Sequence, residues 1–193
     1  MNLMNFIADT TRKSFFFLAY SELRPSLRYI KKNYEYPLVG CEIGVSRGAN
    51  AIRMLKNLPI HHLYLIEPDH RAVGLSMFKK YIGDVQTVNQ QLIQYPRQRD
   101  DVIFGDKVTF LFDYSYNVAE YIPECSLEFC YIDGDHSYEG VKKDIELFYP
   151  KVKHGGVLCG HDFNVFGVAA AVCESFDDVT TDGYPTDWWV VKQ

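Results

Sequence analysis

An α/β domain built on a doubly wound, mostly parallel sheet is predicted by three observations. Short, nearly continuous apolar runs alternate along the chain with segments of helical spacing. Acidic residues gather where those runs end. The closing residues change pattern, with two strand-like stretches around a turn-rich linker.

The runs are Leu38 to Gly44, Leu63 to Glu67, Val108 to Phe112, Leu127 to Asp133 and Val157 to Asp162. A strand covered on both faces has no solvent side, so it reads as unbroken apolar character, the mark of a parallel sheet. Between the runs, helical periodicity predicts helices over Ala49 to Leu58, Arg71 to Ile82, Ser115 to Ile122, Tyr138 to Tyr149 and Gly167 to Phe176. A helical segment from Asn5 to Asn33, broken near Pro25, precedes the first strand. Strand and helix alternating in this way give right-handed crossovers with helices on both faces. Asp178 to Thr181 and Trp188 to Val191 flank Asp182-Gly183-Tyr184-Pro185, which predicts a terminal antiparallel hairpin. Residues 83–107 are polar, weakly periodic and long for a connection inside a compact domain. A lid over a pocket and a solvated loop with a short helix both remain open there.

A chain of 193 residues supports one core better than two small ones, so a single domain spanning 1–193 is expected, with 1–36 as its N-terminal helical segment. The net charge of −5, without a Lys/Arg-rich block, argues against an electrostatic grip on nucleic acid or on an anionic membrane, and points to a small-molecule partner. The apolar cluster from Phe15 to Tyr20 is too short to span a bilayer, and Asp9 ahead of it spoils a signal-peptide pattern. Five cysteines, odd in number and without CxxC spacing, read as reduced thiols. A cytoplasmic protein is expected. Phe15-Phe16-Phe17-Leu18 is read either as a homodimer face or as core packing.

In open parallel sheets, ligands bind outside the carboxyl ends of the strands, where the winding reverses. Glu42, Glu67, Asp133 with Asp135, and Asp162 all sit at such ends, so their carboxylates are expected to ring one crevice. Glu42-Ile43-Gly44-Val45-Ser46-Arg47-Gly48 is a strand-to-helix turn whose glycines permit close approach of a cofactor. Glu67 ends the next strand, where an acidic side chain accepts hydrogen bonds from both ribose hydroxyls. The second cluster is Asp133-Gly134-Asp135-His136-Ser137-Tyr138-Glu139. Two carboxylates and an imidazole so close together are costly to bury without a cation or a proton to share. Asp162 would face the same crevice from the next strand and, with Asp133, supplies the hard oxygen ligands that Mg²⁺ prefers.

At these residues the chain resembles the class I S-adenosylmethionine-dependent methyltransferases. More narrowly, it resembles small-molecule O-methyltransferases related to the metal-dependent catechol, caffeoyl-coenzyme A and antibiotic-sugar enzymes. The resemblance runs from about Pro37 to the C-terminus. It is carried chiefly by YIDGDHSYEGVKKDI, from Tyr131 to Ile145, and HGGVLCGHDF, from His154 to Phe163, with EIGVSRG as the first motif. It implies a Rossmann-like sheet of seven strands with the last antiparallel, and S-adenosyl-L-methionine as cofactor. By the same resemblance Glu42, Gly44 and Gly48 hold the methionine end of the cofactor and Glu67 its ribose, Asp113 and Ser115 lie near the adenine, and Asp133 is a further cofactor-binding residue. Asp133, His161 and Asp162 fall on the metal positions, with His161 standing where those enzymes place an acidic residue. Asp135 or His136 is the general base, Asp135 being preferred.

The implied reaction is an in-line displacement at the sulfonium methyl by an acceptor oxygen, so positioning supplies most of the catalysis. Tyr138, Trp188 and Trp189 are read as acceptor-site walls or as core. Two other functions use the same crevice: hydride transfer with a nicotinamide cofactor, and non-catalytic cofactor binding. The acceptor itself is not written in the sequence.

Overall fold

A computed structural model describes residues 23–69, 71–74, 78, 102–104, 107–183 and 186–193. In chain order the elements are α1 (Pro25–Asn33), β1 (Leu38–Ile43), α2 (Ala49–Asn57), β2 (Ile60–Ile66), β3 (Val102–Phe104), β4 (Val108–Leu111) and α3 (Ser115–Val118) with a 3₁₀ turn over Ala119–Tyr121. They continue with β5 (Leu127–Ile132), α4 (Tyr138–Phe148), β6 (Val152–Gly160), α5 (Phe166–Ser175), β7 (Thr180–Asp182) and β8 (Asp187–Val191).

The strands form one sheet in the order β3-β4-β2-β1-β5-β6-β8-β7. From β1 the chain winds outward through β2 to β4, then returns to the other flank of β1 for β5 and β6, all five parallel. The winding therefore reverses between β1 and β5. At the far edge β8 runs antiparallel to β6 and pairs with β7, which is the terminal hairpin the sequence predicts. The seven expected strands are present, and β3 adds an eighth, antiparallel to β4 on the opposite edge.

Period-two side-chain alternation sends each central strand into two cores. Phe129 and Tyr131 of β5 enter one core, where α1 and α2 contribute Leu27, Ile30, Ala51 and Met54. Cys130 and Ile132 enter the other, with Val141, Ile145 and Phe148 of α4 and Val168 and Val172 of α5. All six residues of β5 are buried, as a nearly continuous apolar run requires, and the one charged residue in it, Glu128, is paired with Lys153 and accepts from the Val39 N–H. Burying each large side chain contributes about 1.5–3 kcal/mol, so this central strand anchors both layers.

The larger departures from the sequence reading are at the starts of β2 and β6 and after β2. β2 starts at Ile60 and β6 at Val152, each upstream of its apolar run, because the polar His61-His62 and Lys153-His154 interrupt the pattern while the backbone keeps pairing. Residues 71–74 form a turn and bend where a helix is predicted to begin. Asp69 Oδ1 accepts hydrogen bonds from the Arg71 backbone N–H at 3.0 Å and from its Nε at 3.0 Å, a local alternative that competes with helix initiation. The remainder of that helix, the lid or loop at 83–107 apart from β3 and the residue preceding β4, and the Phe15 to Leu18 cluster lie outside the described residues.

Candidate active site

The carboxyl ends of the strands are held in step by backbone hydrogen bonds. Glu67 N donates to Leu111 O at 3.1 Å, Gly44 N to Ile66 O at 2.9 Å, Asp133 N to Ile43 O at 2.8 Å and His161 N to Ile132 O at 3.1 Å. These bonds align the ends of β4, β2, β1, β5 and β6 as one rim. They place Glu67, Asp133 and Asp162 along it, with Glu42 just below on β1.

The turn after β1 is tightly constrained. Gly44 has φ +84°, and a Cβ there would lie 2.1 Å from the carbonyl oxygen of Asp133, so only glycine lets this turn close onto the end of β5. Ser46 also has positive φ, and its N–H donates to Glu67 Oε2 at 2.7 Å. Glu67 Oε1 accepts from the Asp69 N–H at 3.1 Å, so two backbone donors orient that carboxylate. Glu42 is 1% exposed and lies behind the turn. Its Oε1 accepts from Asn50 Nδ2 at 2.9 Å, while Oε2 is buried with no partner. Burial pushes the Glu42 carboxyl up to about 8, against the opposing effect of the Asn50 hydrogen bond.

A cavity of about 790 Å³ opens above this rim. Gly44, Ser46 and Glu67 bound one side, Tyr114, Ser115 and Tyr116 another, and Asp133, Gly134 and Asp135 the β5 side. Of the residues proposed from sequence as cofactor ligands, the structure thus brings Gly44, Glu67, Ser115 and Asp133 to one cavity. Glu42 and Gly48 stand behind its wall. Asp113 is turned away to the start of α3, where its Oδ1 accepts from the Tyr114 N–H at 2.7 Å and from Asn117 Nδ2 at 2.9 Å. Among the described residues the lining carries five carboxylates, on Glu67, Asp133, Asp135, Glu139 and Asp144, against one ammonium, on Lys143.

Beside the cavity and sharing Asp133 with it lies a cluster of Asp133, His136 and Asp162, with one potential ligand atom of each within 4.8 Å of the others. His136 Nε2 is 3.5 Å from Asp133 Oδ1 and 3.4 Å from Asp162 Oδ2. Asp162, with φ +56°, holds a backbone conformation that non-glycine residues seldom adopt. His161 does not join the cluster, in contrast to the sequence expectation. Its Nδ1 donates to the fully buried Asp187 at 2.8 Å, and its Nε2 stands 4.0 Å from Asp162 Oδ1. Asp135 is exposed on the cavity lining, its Oδ1 accepting from the Ser137 N–H at 2.9 Å. Trp188 is fully buried and Trp189 nearly so, and both belong to the core.

Two participants escape sequence reading. Arg24, immediately before α1, donates from Nη1 to Asp133 Oδ2 at 2.7 Å and to the Tyr131 hydroxyl at 2.8 Å. Tyr131 donates in turn to Asp187, which also accepts from the Ser26 N–H and hydroxyl, so a buried polar network ties α1 to the rim. Asp144, on the second turn of α4, is 4% exposed and accepts from Ser115 Oγ at 2.5 Å. No signal in the sequence separates it from an ordinary helix-surface carboxylate.

Residues 41–163, from the middle of β1 to just past β6, match the family model described as Methyltransferase domain. The chain belongs to that methyltransferase family. Its fold and family are those of a class I S-adenosylmethionine-dependent methyltransferase. The methyltransferase is 25% identical over 146 residues to the uncharacterized protein R132 of Acanthamoeba polyphaga mimivirus, a match covering 73% of this chain and 58% of that protein. The matched region thus spans somewhat more than half the length of this curated relative. Among solved structures, the O-methyltransferase NovP superposes with a TM-score of 0.54 at 21% identity, covering 85% of this chain and 75% of that one. An rRNA methylase from Streptococcus thermophilus superposes with a TM-score of 0.57 at 12% identity, covering 88% and 96%. Both structural likenesses are likenesses of fold.

The lining fits the cofactor of this family. An excess of carboxylates suits a ligand carrying a sulfonium and an ammonium, and it disfavours the pyrophosphate of a nicotinamide dinucleotide, which calls for cationic or N–H-rich surroundings. The donor set of the adjoining cluster, two carboxylates and an imidazole, suits a divalent cation. Among the described residues no helix is long and apolar enough to cross a membrane.

Proposed function

We propose that this methyltransferase transfers the methyl group of S-adenosylmethionine to a hydroxyl oxygen of a small molecule, with a divalent cation held by Asp133, His136 and Asp162. The observation that supports this reading is the sharing of Asp133 between the cavity and the three-residue cluster; on this reading the cavity takes the cofactor and the cluster side takes the acceptor. When bound, the cofactor supplies an electrophilic methyl on a sulfonium, and a divalent cation lowers the pKa of a hydroxyl.

The chain's own residues supply the rest. Glu67, oriented by the Ser46 and Asp69 N–H groups, accepts from the ribose hydroxyls. Arg24 fixes Asp133 by holding Oδ2, which leaves Oδ1 directed at His136. Asp135, held by the Ser137 N–H and open to solvent, takes the proton that the acceptor hydroxyl releases. The net charge of −5 favours a small acceptor over the ribosomal RNA of the fold-related methylase. Five free thiols, three of them buried, support a reducing, cytoplasmic setting.

The test is a thermal-shift titration with S-adenosylhomocysteine or NAD, each with and without Mg²⁺. Stabilisation by S-adenosylhomocysteine alone of the two nucleotides, and a further Mg²⁺-dependent shift that Asp162→Asn abolishes, is the expected result. Stabilisation by NAD instead overturns the cofactor reading. A Mg²⁺ response unaffected by Asp162→Asn overturns the cation site.

A further inference from the structure

Arg24 holds the rim with one corner of its guanidinium. Nη1 donates to the Tyr131 hydroxyl at 2.8 Å and to Asp133 Oδ2 at 2.7 Å, which engages both of its N–H groups. Among the described residues Nε and Nη2 have no hydrogen-bond partner, and both retain contact with solvent. The side chain as a whole is only 24% exposed. Two hydrogen bonds to partly or fully buried oxygens therefore set the direction of the guanidinium, and its open edge is held in place rather than swinging freely in water.

Charge balance calls for an anion at that edge. Asp133 and Asp162 are the two carboxylates of the cluster, and together they offset a divalent cation there. Asp187 lies behind Tyr131 and already accepts from the Ser26 N–H and hydroxyl, from Tyr131 and from His161. The guanidinium is then left without a carboxylate of its own. Arg24 also stands outside the lining of the large cavity, although it touches Asp133, the residue that cavity and cluster share. What meets the open edge belongs to the acceptor rather than to the cofactor.

Resting on the methyl-transfer reading above, we propose that the acceptor carries an anionic group, a carboxylate or a phosphate, which docks on the Nε and Nη2 edge of Arg24 while its hydroxyl lies at the cluster of Asp133, His136 and Asp162. That edge presents parallel N–H donors to two oxygens of one anion, a geometry that a lysine ammonium does not reproduce. Arg24 thus has two duties: Nη1 fixes Asp133, and the opposite edge selects among small hydroxyl compounds by charge.

A nitrogen-15 NMR titration of the full chain tests this by following the Arg24 Nε–H resonance. The probes are glycerate, glycerol 3-phosphate and glycerol, which share a hydroxyl-bearing frame and differ in the anion. The wild-type resonance is expected to shift and saturate with glycerate, with glycerol 3-phosphate or with both, the responding compound naming the anion, and to ignore glycerol. Arg24→Lys is expected to weaken that binding roughly tenfold, read from the Leu23 backbone amide. A wild type that answers neither anion, or answers glycerol as well as the anions, overturns the proposal even if Arg24→Lys fails to fold. Unaltered affinity in Arg24→Lys also overturns it, as do equal shifts at Arg71, whose side chain is 81% exposed and which reports unspecific ion pairing. Repeating the titration with saturating S-adenosylhomocysteine separates the two readings. Anion binding that this compound abolishes assigns the edge to the cofactor and overturns the proposal. A protein that binds an anion at Arg24 but not S-adenosylhomocysteine supports the anion edge and fails the methyl-transfer reading alone.

Discussion

Arg24 and Asp133 are 109 positions apart in the chain and 2.7 Å apart in the fold. The contact joins the residue before α1 to the carboxylate at the centre of the rim, and the same guanidinium nitrogen holds Tyr131. Both partners are largely sheltered, with side-chain exposures of 24% and 17%, so the pair is screened less than a surface ion pair.

Arg24→Met leaves Asp133 without its cation and Tyr131 without its donor. Loss of a hydrogen bond to a charged group costs about 1.5–3 kcal/mol. Chemical denaturation is expected to show a destabilisation of that order, together with a fall in turnover. Arg24→Lys recovers part of both, since an ammonium restores the charge without the planar fork. Unchanged stability and turnover in Arg24→Met would remove Arg24 from the site.

Glu42 predicts a pH dependence of stability. Its folded carboxyl is raised from 4.5 to about 8, so the folded state holds the proton more tightly than the unfolded chain. The resulting stabilisation is complete below pH 4.5 and is lost as pH rises through 8. Asp144, raised from 3.8 to about 6, acts with the same sign at lower pH, so the span from 6 to 8 reports chiefly on Glu42. Glu42→Gln preserves an acceptor for Asn50 and abolishes this slope. Denaturation midpoints of wild type and Glu42→Gln should diverge across that span, approaching about 1.4 kcal/mol per pH unit. Parallel curves would show that Glu42 is ionised in the folded protein.

The two neighbouring histidines should part company. His136→Asn is expected to remove a Mg²⁺- or Mn²⁺-dependent thermal shift with little effect on the cation-free protein, because its ring is 41% exposed. His161→Asn should keep the cation response and lower the melting temperature, since its ring is bonded to the buried Asp187. The reverse pattern in the same fluorimetric assay would return the cation to the ligand set expected from sequence.

Gly44→Ala and Gly155→Ala separate strain from collision. Both glycines have positive φ, +84° and +75°, which costs alanine about 1–2 kcal/mol. A Cβ at Gly155 meets nothing within 4 Å, whereas one at Gly44 falls 2.1 Å from Asp133 O. Gly155→Ala should therefore lose only the backbone amount in urea denaturation. Gly44→Ala should lose clearly more, along with S-adenosylhomocysteine affinity, because the ends of β1 and β5 must move apart. Equal losses would mean that the turn accommodates a methyl group.

The alternation of elements was legible because each strand and helix announces itself within a few residues. Leu127 to Ile132 reads as a doubly covered strand by its own apolar run, and Asp133 reads as a site residue by ending it. The starts of β2 and β6 were not legible. There the backbone pairs through His61-His62 and Lys153-His154, and pairing depends on the neighbouring strand rather than on local hydropathy.

For this protein, the sequence by itself determined the winding of the sheet, the rim on which Glu67, Asp133 and Asp162 stand, and the glycine turn that closes on it. Local periodicity and strand-end placement carry that information. Only the tertiary structure decided which side chains answer one another across the rim. Asp187, 26 residues further along the chain, takes His161 and leaves the cluster to His136, while Arg24 reaches Asp133 and Asp144 turns into the cavity. A hydrogen bond between distant residues is chosen by which partners the packed core brings within about 3 Å, and no local pattern records that choice.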